Sequence, residues 1–299
     1  MTGRQLNMYF WVFMMWGASF YWLALAIPEF GWAGTVAFRS FVASGLLFAI
    51  AKATRRSLDF QSEWKHYAVL GFTSVGLNLG GMNFALTRLG SSLTAILVTT
   101  IPLYSLLIEW IWHKKRPTTL MLIGLITGFI GVVILIGFTP QKIDGHFLMG
   151  VLGSAIASSG FAFGGSYAKV NTPHVAPWEQ TIGTFLFGGL FTLPLILIVP
   201  LVQVPPSAKA IGALITVAAT ASSLAYIMYF KLVDEIGATK ALTTEFLVPV
   251  VAVILGALFL NERITSVQLI GAAVVFIGCG LVLGLGQPQH ELHEDVVAH

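Results

Sequence analysis

About ten times along the chain a run of roughly twenty apolar residues recurs, over 7–27, 33–51, 66–86, 92–112, 118–138, 147–169, 178–200, 208–230, 238–260 and 265–285. A helix of about that length crosses the hydrocarbon of a bilayer, and this recurrence constrains the fold more than any other feature. It predicts an all-α membrane protein with ten transmembrane helices. The connections are short, and the longest, Lys52–Trp64, is too small to fold alone. The runs are continuous rather than alternating, which argues against a barrel. With only 10% of residues charged, little is left for a soluble domain. The first run carries no A-x-A cleavage site around Met14–Met15–Trp16–Gly17, so it is expected to stay as the first helix.

Sliding the chain against itself by 147 residues aligns Gly90 with Gly237, Pro102 with Pro249, Arg116 with Arg263, Gly124 with Gly271 and Gly131 with Gly278, and also Gly17 with Gly164 and Ser19 with Ser166. A common register across so many positions is the mark of duplication. It predicts one five-helix repeat over 1–142, a second over 143–285, and a polar tail, 286–299, expected to be disordered. Because five is odd, the second copy enters the membrane inverted. With both termini in the cytoplasm, Arg4, Lys52, Arg55, Arg56, Lys65, Lys114, Lys115, Arg116, Lys169, Lys231 and Lys240 fall inside, against Arg88, Lys142, Lys209 and Arg263 outside, the expected bias. The basic turn His113–Arg116 and its neutralised counterpart Leu260–Arg263 fit opposite faces. Inverted repeats around a midplane site are the usual build of secondary transporters.

Two runs share a design at that midplane. Thr243–Thr244–Glu245 precedes Pro249, and Thr99–Thr100 precedes Pro102. Proline removes a backbone donor and kinks a helix, and in lipid the freed carbonyl survives only beside protein or a water-filled cavity. Pro102 and Pro249 are therefore expected hinges, facing one polar spot.

At this point the sequence resembles the ten-helix EamA-type transporters of the drug/metabolite transporter superfamily. The likeness rests on Trp16–Gly17–Ala18–Ser19–Phe20, on Arg39, and on the block from Gly237 to Leu283 with Pro249, Leu260–Asn261–Glu262–Arg263 and Gly271. It covers nearly the whole chain, although Lys114–Lys115–Arg116 replaces the acidic turn often present in the first copy. The resemblance implies a bundle with the first, third, fourth, sixth, eighth and ninth helices around a cavity and the fifth and tenth at one end. It further implies a bacterial inner-membrane exporter of amino acids, including aromatic ones; exporters of drugs or quaternary amines are the alternative.

Candidate cavity residues follow from helical spacing. Trp16, Ser19 and Phe20 share a face, and the repeat supplies Phe163, Ser166 and Tyr167. Asn78 and Asn83 lie five residues apart, so one is expected to line the cavity and the other to bridge helices. Thr99, Thr100, Tyr226, Thr244 and Glu245 complete the set. Glu245 is too deep to snorkel: either it is a neutral acid bonded between helices, for which Thr99 and Asn83 are candidate partners, or it contacts a substrate amine or couples protons. Arg39 is read first as a snorkelling or structural cation, with a substrate carboxylate as the functional alternative. Glu109 is expected to pair with Lys114 or Lys115 at the interface. Gly124–Gly128 and Gly280–Gly284 are read as tight packing.

Other chemistries find no support. The histidines, His66, His113, His146, His174, His290, His293 and His299, fall at helix ends, loops or tail without metal-ligand spacing. There is no phosphate-cradling G-x-x-x-x-G-K-[ST] motif, no nucleophile–base constellation and no basic patch for nucleic acid. The single cysteine, Cys279, excludes an internal disulfide. The expectation is a transporter, ahead of a lipid-active membrane enzyme or a channel, with no cofactor, whose partners are lipid and a small molecule. The sequence does not set its oligomeric state.

Overall fold

A computed structural model of the chain describes residues 1–56, 59–114, 116–137, 143–199, 202, 205–260 and 265–285. Lys115, Lys142, the turn residues Asn261, Glu262 and Arg263, and the tail 286–299 lie outside the described residues. Among the described residues there is no strand, and nine helices are long and apolar enough to cross a membrane. They are α1 (Gly3–Ala53), α2 (Phe60–Gly90), α3 (Leu93–Trp112), α4 (Thr119–Ile136), α5 (Gly145–Asn171), α6 (Pro177–Ile198), α7 (Ala208–Ile236), α8 (Ala238–Leu255) and α9 (Ser266–Leu283). Their starts are chemically marked. Thr118, Asp144, Ser207 and Thr265 each accept a backbone N–H three residues on with the side chain, satisfying one of the donors a helix leaves free.

At 51 residues, α1 would run about 75 Å if straight, more than twice the hydrocarbon thickness. It does not run straight, because Gly31 takes φ 68° and ψ 170° and separates an N-terminal arm from a C-terminal arm. Glu29 beside this break accepts both the Ser207 N–H at 2.6 Å and the Ser207 hydroxyl at 2.8 Å, tying the reversal to the start of α7.

The 147-residue register reappears in backbone geometry. A seven-residue π-helical segment interrupts α2 at Gly71–Leu77, and another interrupts α7 at Ala218–Leu224. Gly90 and Gly237 both have positive φ, 73° and 90°, and so do Gly137 and Gly284, 77° and 67°. These conformations favour glycine. Helices α4 and α9 pack antiparallel in reciprocal pairs. Gly124 lies against Val282, Gly128 against Gly278, Gly131 against Val275, and Leu135 against Gly271. Each pair becomes another under exchange by 147. The glycines let the backbones touch, the usual solution where lipid removes any hydrophobic drive between helices. Gly280 faces open space and Gly284 is a left-handed cap, so the spacing of those two does not reflect packing, whereas that of Gly124 and Gly128 does.

The proline-containing helices break at different places. A turn at Thr99–Thr100 precedes Pro102, which stands in the first turn of the next segment. In α8 the turn falls at Thr243, and Pro249 lies inside the helix that follows. The hydroxyls of Thr99, Thr100, Thr243 and Thr244 donate to the carbonyls of Ile96, Leu97, Lys240 and Ala241, at 2.7, 2.5, 2.7 and 2.8 Å. They cover carbonyls at the breaks that lipid could not satisfy.

At the end bearing most of the basic connections, polar contacts join early and late parts of the chain. Arg4 pairs with Glu235 at 2.6 Å, His174 with Glu63 at 3.0 Å, and His66 bonds Tyr167 at 2.7 Å. Lys169 reaches the Asp234 carbonyl. Glu109 does not pair with Lys114: its carboxylate accepts the Thr239 N–H at 3.1 Å, capping α8 just past Gly237. A free helix N-terminus attracts the carboxylate as a lysine would, and here it is the group within reach.

Candidate functional site

A cavity of about 50 Å³ lies at the centre of the bundle, room for a few waters. Its wall comes from both arms of α1 and from α2, α3, α5, α7 and α8. Helices α4, α6 and α9 contribute no lining residue. This is the set the resemblance implied, with the C-terminal arm of α1 added. Helical spacing makes the wall: Trp16, Ser19, Phe20 and Leu23 recur at i, i+3, i+4 and i+7, as Glu245, Val248 and Pro249 do at i, i+3 and i+4.

Aromatic rings form one side. Trp16 meets Phe161 edge-on at 5.7 Å, Tyr226 at 5.8 Å and Tyr229 at 5.4 Å, all within the range of favourable ring contacts. Two polar aromatic tips are held by the π segments. The Trp16 indole N–H donates to the Ala221 carbonyl at 3.1 Å, and the Tyr226 hydroxyl to the Ser74 carbonyl at 3.2 Å. Ser74 and Ala221 are themselves 147 residues apart. A π turn widens the helix and shifts its carbonyls out of the regular ladder, which is why such turns gather at functional sites.

The charged wall has two members. Arg39 is only 3% exposed. Its Nε donates to the Ser222 hydroxyl at 3.0 Å, and among the described residues no carboxylate comes within ion-pair distance of it. Glu245 is half-buried, and among the described residues no hydrogen bond or ion pair engages its carboxylate. Arg39 is a cation and Glu245 an ionisable acid in a poorly solvated place, where a charge is costly unless something binds it. Arg39 thus faces the cavity and does not snorkel. Thr99 and Asn83 are bonded to Ile96 and Trp32 carbonyls, not to Glu245.

Of the expected residues, Trp16, Ser19, Asn78, Thr99, Tyr226, Glu245 and Pro249 line this cavity. Asn78 also donates to the Ala157 carbonyl at 3.2 Å. Six others do not line it. Asn83 bridges to the Trp32 carbonyl at 3.3 Å. Thr100 and Thr244 turn back on their own helices. Ser166 is buried with no hydrogen-bond partner among the described residues. Phe163 stacks on Trp112 at 5.4 Å with planes 9° apart. Pro102 does not line the cavity. Phe161, two residues before Phe163, holds the position against Trp16. No group of three or more potential metal ligands occurs among the described residues.

Comparison with known proteins gives a consistent picture. The profile of the EamA-like transporter family matches twice, over residues 7–137 and 148–284. The chain is 25% identical over 283 residues to the uncharacterized transporter YoaV of Bacillus subtilis (strain 168), covering 91% of this chain and 93% of that protein. It is 30% identical over 226 residues to protein PecM of Dickeya dadantii (strain 3937), covering 74% and 73%. A crystal structure at 15% identity superposes with a TM-score of 0.79, covering 94% of this chain and 98% of the other, and shows a shared fold.

Proposed function

The chain belongs to the EamA-like transporter family, and from that premise we propose that it is a secondary transporter exporting amino acids by alternating access. The observation that carries the substrate class is the pair Arg39 and Glu245, which face one small cavity without neutralising each other. A free α-amino acid brings a carboxylate and an ammonium on one carbon. Arg39 offers a fork for the first and Glu245 an acceptor for the second, with Trp16, Phe161 and Tyr226 against the side chain. A cationic drug or quaternary amine would suit Glu245 and the aromatic wall, but it would leave Arg39 desolvated beside a like charge. A phosphorylated substrate would call for more cations than Arg39. The remaining cavity-lining candidates, Ser19, Asn78 and Thr99, supply polar contacts beside this pair.

The architecture in this reading is ten spans, α1 counting as two across Gly31, in five-helix repeats over 1–142 and 143–285 of opposite orientation. The reciprocal antiparallel contacts of α4 with α9 support the inversion, since two equivalent helices meeting head to tail are related by an axis in the membrane plane. The unequal breaks near Pro102 and Pro249 support alternating access: equivalent helices hold different conformations, and exchanging them moves the opening. The contacts Arg4–Glu235, Glu63–His174 and Glu109–Thr239 are those such a motion has to release. The placement is the bacterial inner membrane with both termini cytoplasmic.

Uptake into proteoliposomes of a panel of radiolabelled amino acids, with and without a proton gradient, tests the reading. Saturable flux of neutral or aromatic amino acids is expected. Absence of saturable flux for every amino acid overturns it.

A further inference from the structure

A second cavity, of about 520 Å³, is a groove separate from the central one. Its walls are Phe41, Gly45 and Phe48 on the C-terminal arm of α1, Phe60 and Trp64 at the start of α2, and Leu186 on α6. Phe48 and Trp64 are nearly half exposed, so the groove opens outward, where a membrane protein meets acyl chains. A Cβ built at Gly45 would meet nothing within 4 Å, so at that position the groove is open space rather than a packing seam.

The groove ends beside a cluster of cations. Lys52, Arg55, Arg56 and Lys65 are all exposed, and among the described residues none makes a salt bridge. Two are held over aromatic faces next to the groove, Lys65 at 5.9 Å from the Trp64 ring and Arg56 at 5.3 Å from the Trp178 ring. The acids of this region are engaged otherwise. Glu63 is taken by His174, Glu179 accepts the Tyr67 hydroxyl and the Asp59 N–H, and Asp59 caps Ser62 at the start of α2. An aromatic trough ending at cations without a salt bridge near a span end fits one occupant by chemistry, an acidic phospholipid with an acyl chain in the trough and its phosphate at Arg56 and Lys65.

We propose that this groove is a binding site for one anionic phospholipid. A zwitterionic lipid would satisfy the trough but bring an ammonium to the cations, and so should bind less well.

Native mass spectrometry of the full chain in detergent tests this, with phosphatidylglycerol and phosphatidylcholine of matched acyl chains as probes. One phosphatidylglycerol is expected to be retained about tenfold more tightly than phosphatidylcholine. The double variant R56Q/K65Q should lose that preference while still retaining phosphatidylcholine. Gly45→Leu, which fills the floor and favours the helix, should lose retention of both lipids. Equal retention of the two lipids by the parent chain, or a preference that survives R56Q/K65Q, overturns the proposal. If Gly45→Leu does not fold, the charge variants, on the surface and outside the packed core, still decide. Amino-acid flux plays no part in this readout, so its outcome is independent of the transport reading.

Discussion

Arg39 and Glu245 are where the chemistry concentrates, and their stability signature separates function from structure. A buried charge that serves the fold is paired, and removing one partner costs several kcal/mol; a charge held open for a ligand costs stability while it waits. Arg39→Gln and Glu245→Gln are therefore expected to leave the thermal midpoint unchanged or to raise it, while amino-acid binding falls on the order of ten- to hundredfold, the worth of a charge-assisted hydrogen bond. A lowered midpoint together with intact binding would make the two residues structural. If Glu245 carries the proton, Glu245→Gln also flattens the pH dependence of flux, and an unchanged pH profile rejects that role. The sequence revealed only part of this wall. Trp16 and Ser19 were legible because spacing defines a helix face, but the duplication pointed to Phe163, whereas the α5 ring against Trp16 is Phe161. Equivalent helices need not show equivalent faces to a shared cavity when the copies hold different shapes. A usable signal lay in Gly160 and Gly164, which press on Leu77 and Ser74 and so fix the rotation of α5 about its axis. Arg39 was ambiguous because its depth in the run fits snorkelling equally well; only Ser222 at 3.0 Å shows which way it turns.

Among elements, the α4–α9 seam is the most sharply testable. A Cβ at Gly278 would collide with the Gly128 backbone, whereas one at Gly280 would meet nothing within 4 Å. Gly278→Leu is expected to cost about 3 kcal/mol or more, or to abolish accumulation in the membrane, because neither backbone can yield. Gly280→Leu, two residues along the same helix, should melt like the parent. Equal tolerance of both substitutions would contradict the seam. Spacing alone could not tell these glycines apart, since Gly124–Gly128 and Gly280–Gly284 read identically in the sequence and differ only in what stands opposite. The π segments were invisible for a related reason. No residue type marks one extra backbone unit in a turn, so Gly71–Leu77 and Ala218–Leu224 looked like ordinary helix until their carbonyls were found holding Tyr226 and Trp16.

For the whole molecule, the run pattern made the membrane-capable helices legible, with the first two expected runs falling in the single helix α1, and the 147-residue register matches the two family repeats, because apolar length and glycine positions are written directly in the chain. Inversion is a statement about the membrane and calls for its own test. With Cys279 replaced by alanine, single cysteines at Arg116 and Thr265 are expected on opposite faces. An impermeant maleimide should label the Thr265 position in intact cells, and the Arg116 position only after permeabilisation. The account's central claim is that one cavity holds both ends of a zwitterion. Its most direct test is competition in proteoliposome counterflow between an aromatic amino acid, its decarboxylated amine and its deaminated acid. The amino acid is predicted to compete on the order of ten- to hundredfold better than either analogue, with Arg39→Gln erasing its advantage over the amine and Glu245→Gln its advantage over the acid. An amine or an acid that competes with the parent transporter as well as the amino acid does would contradict it.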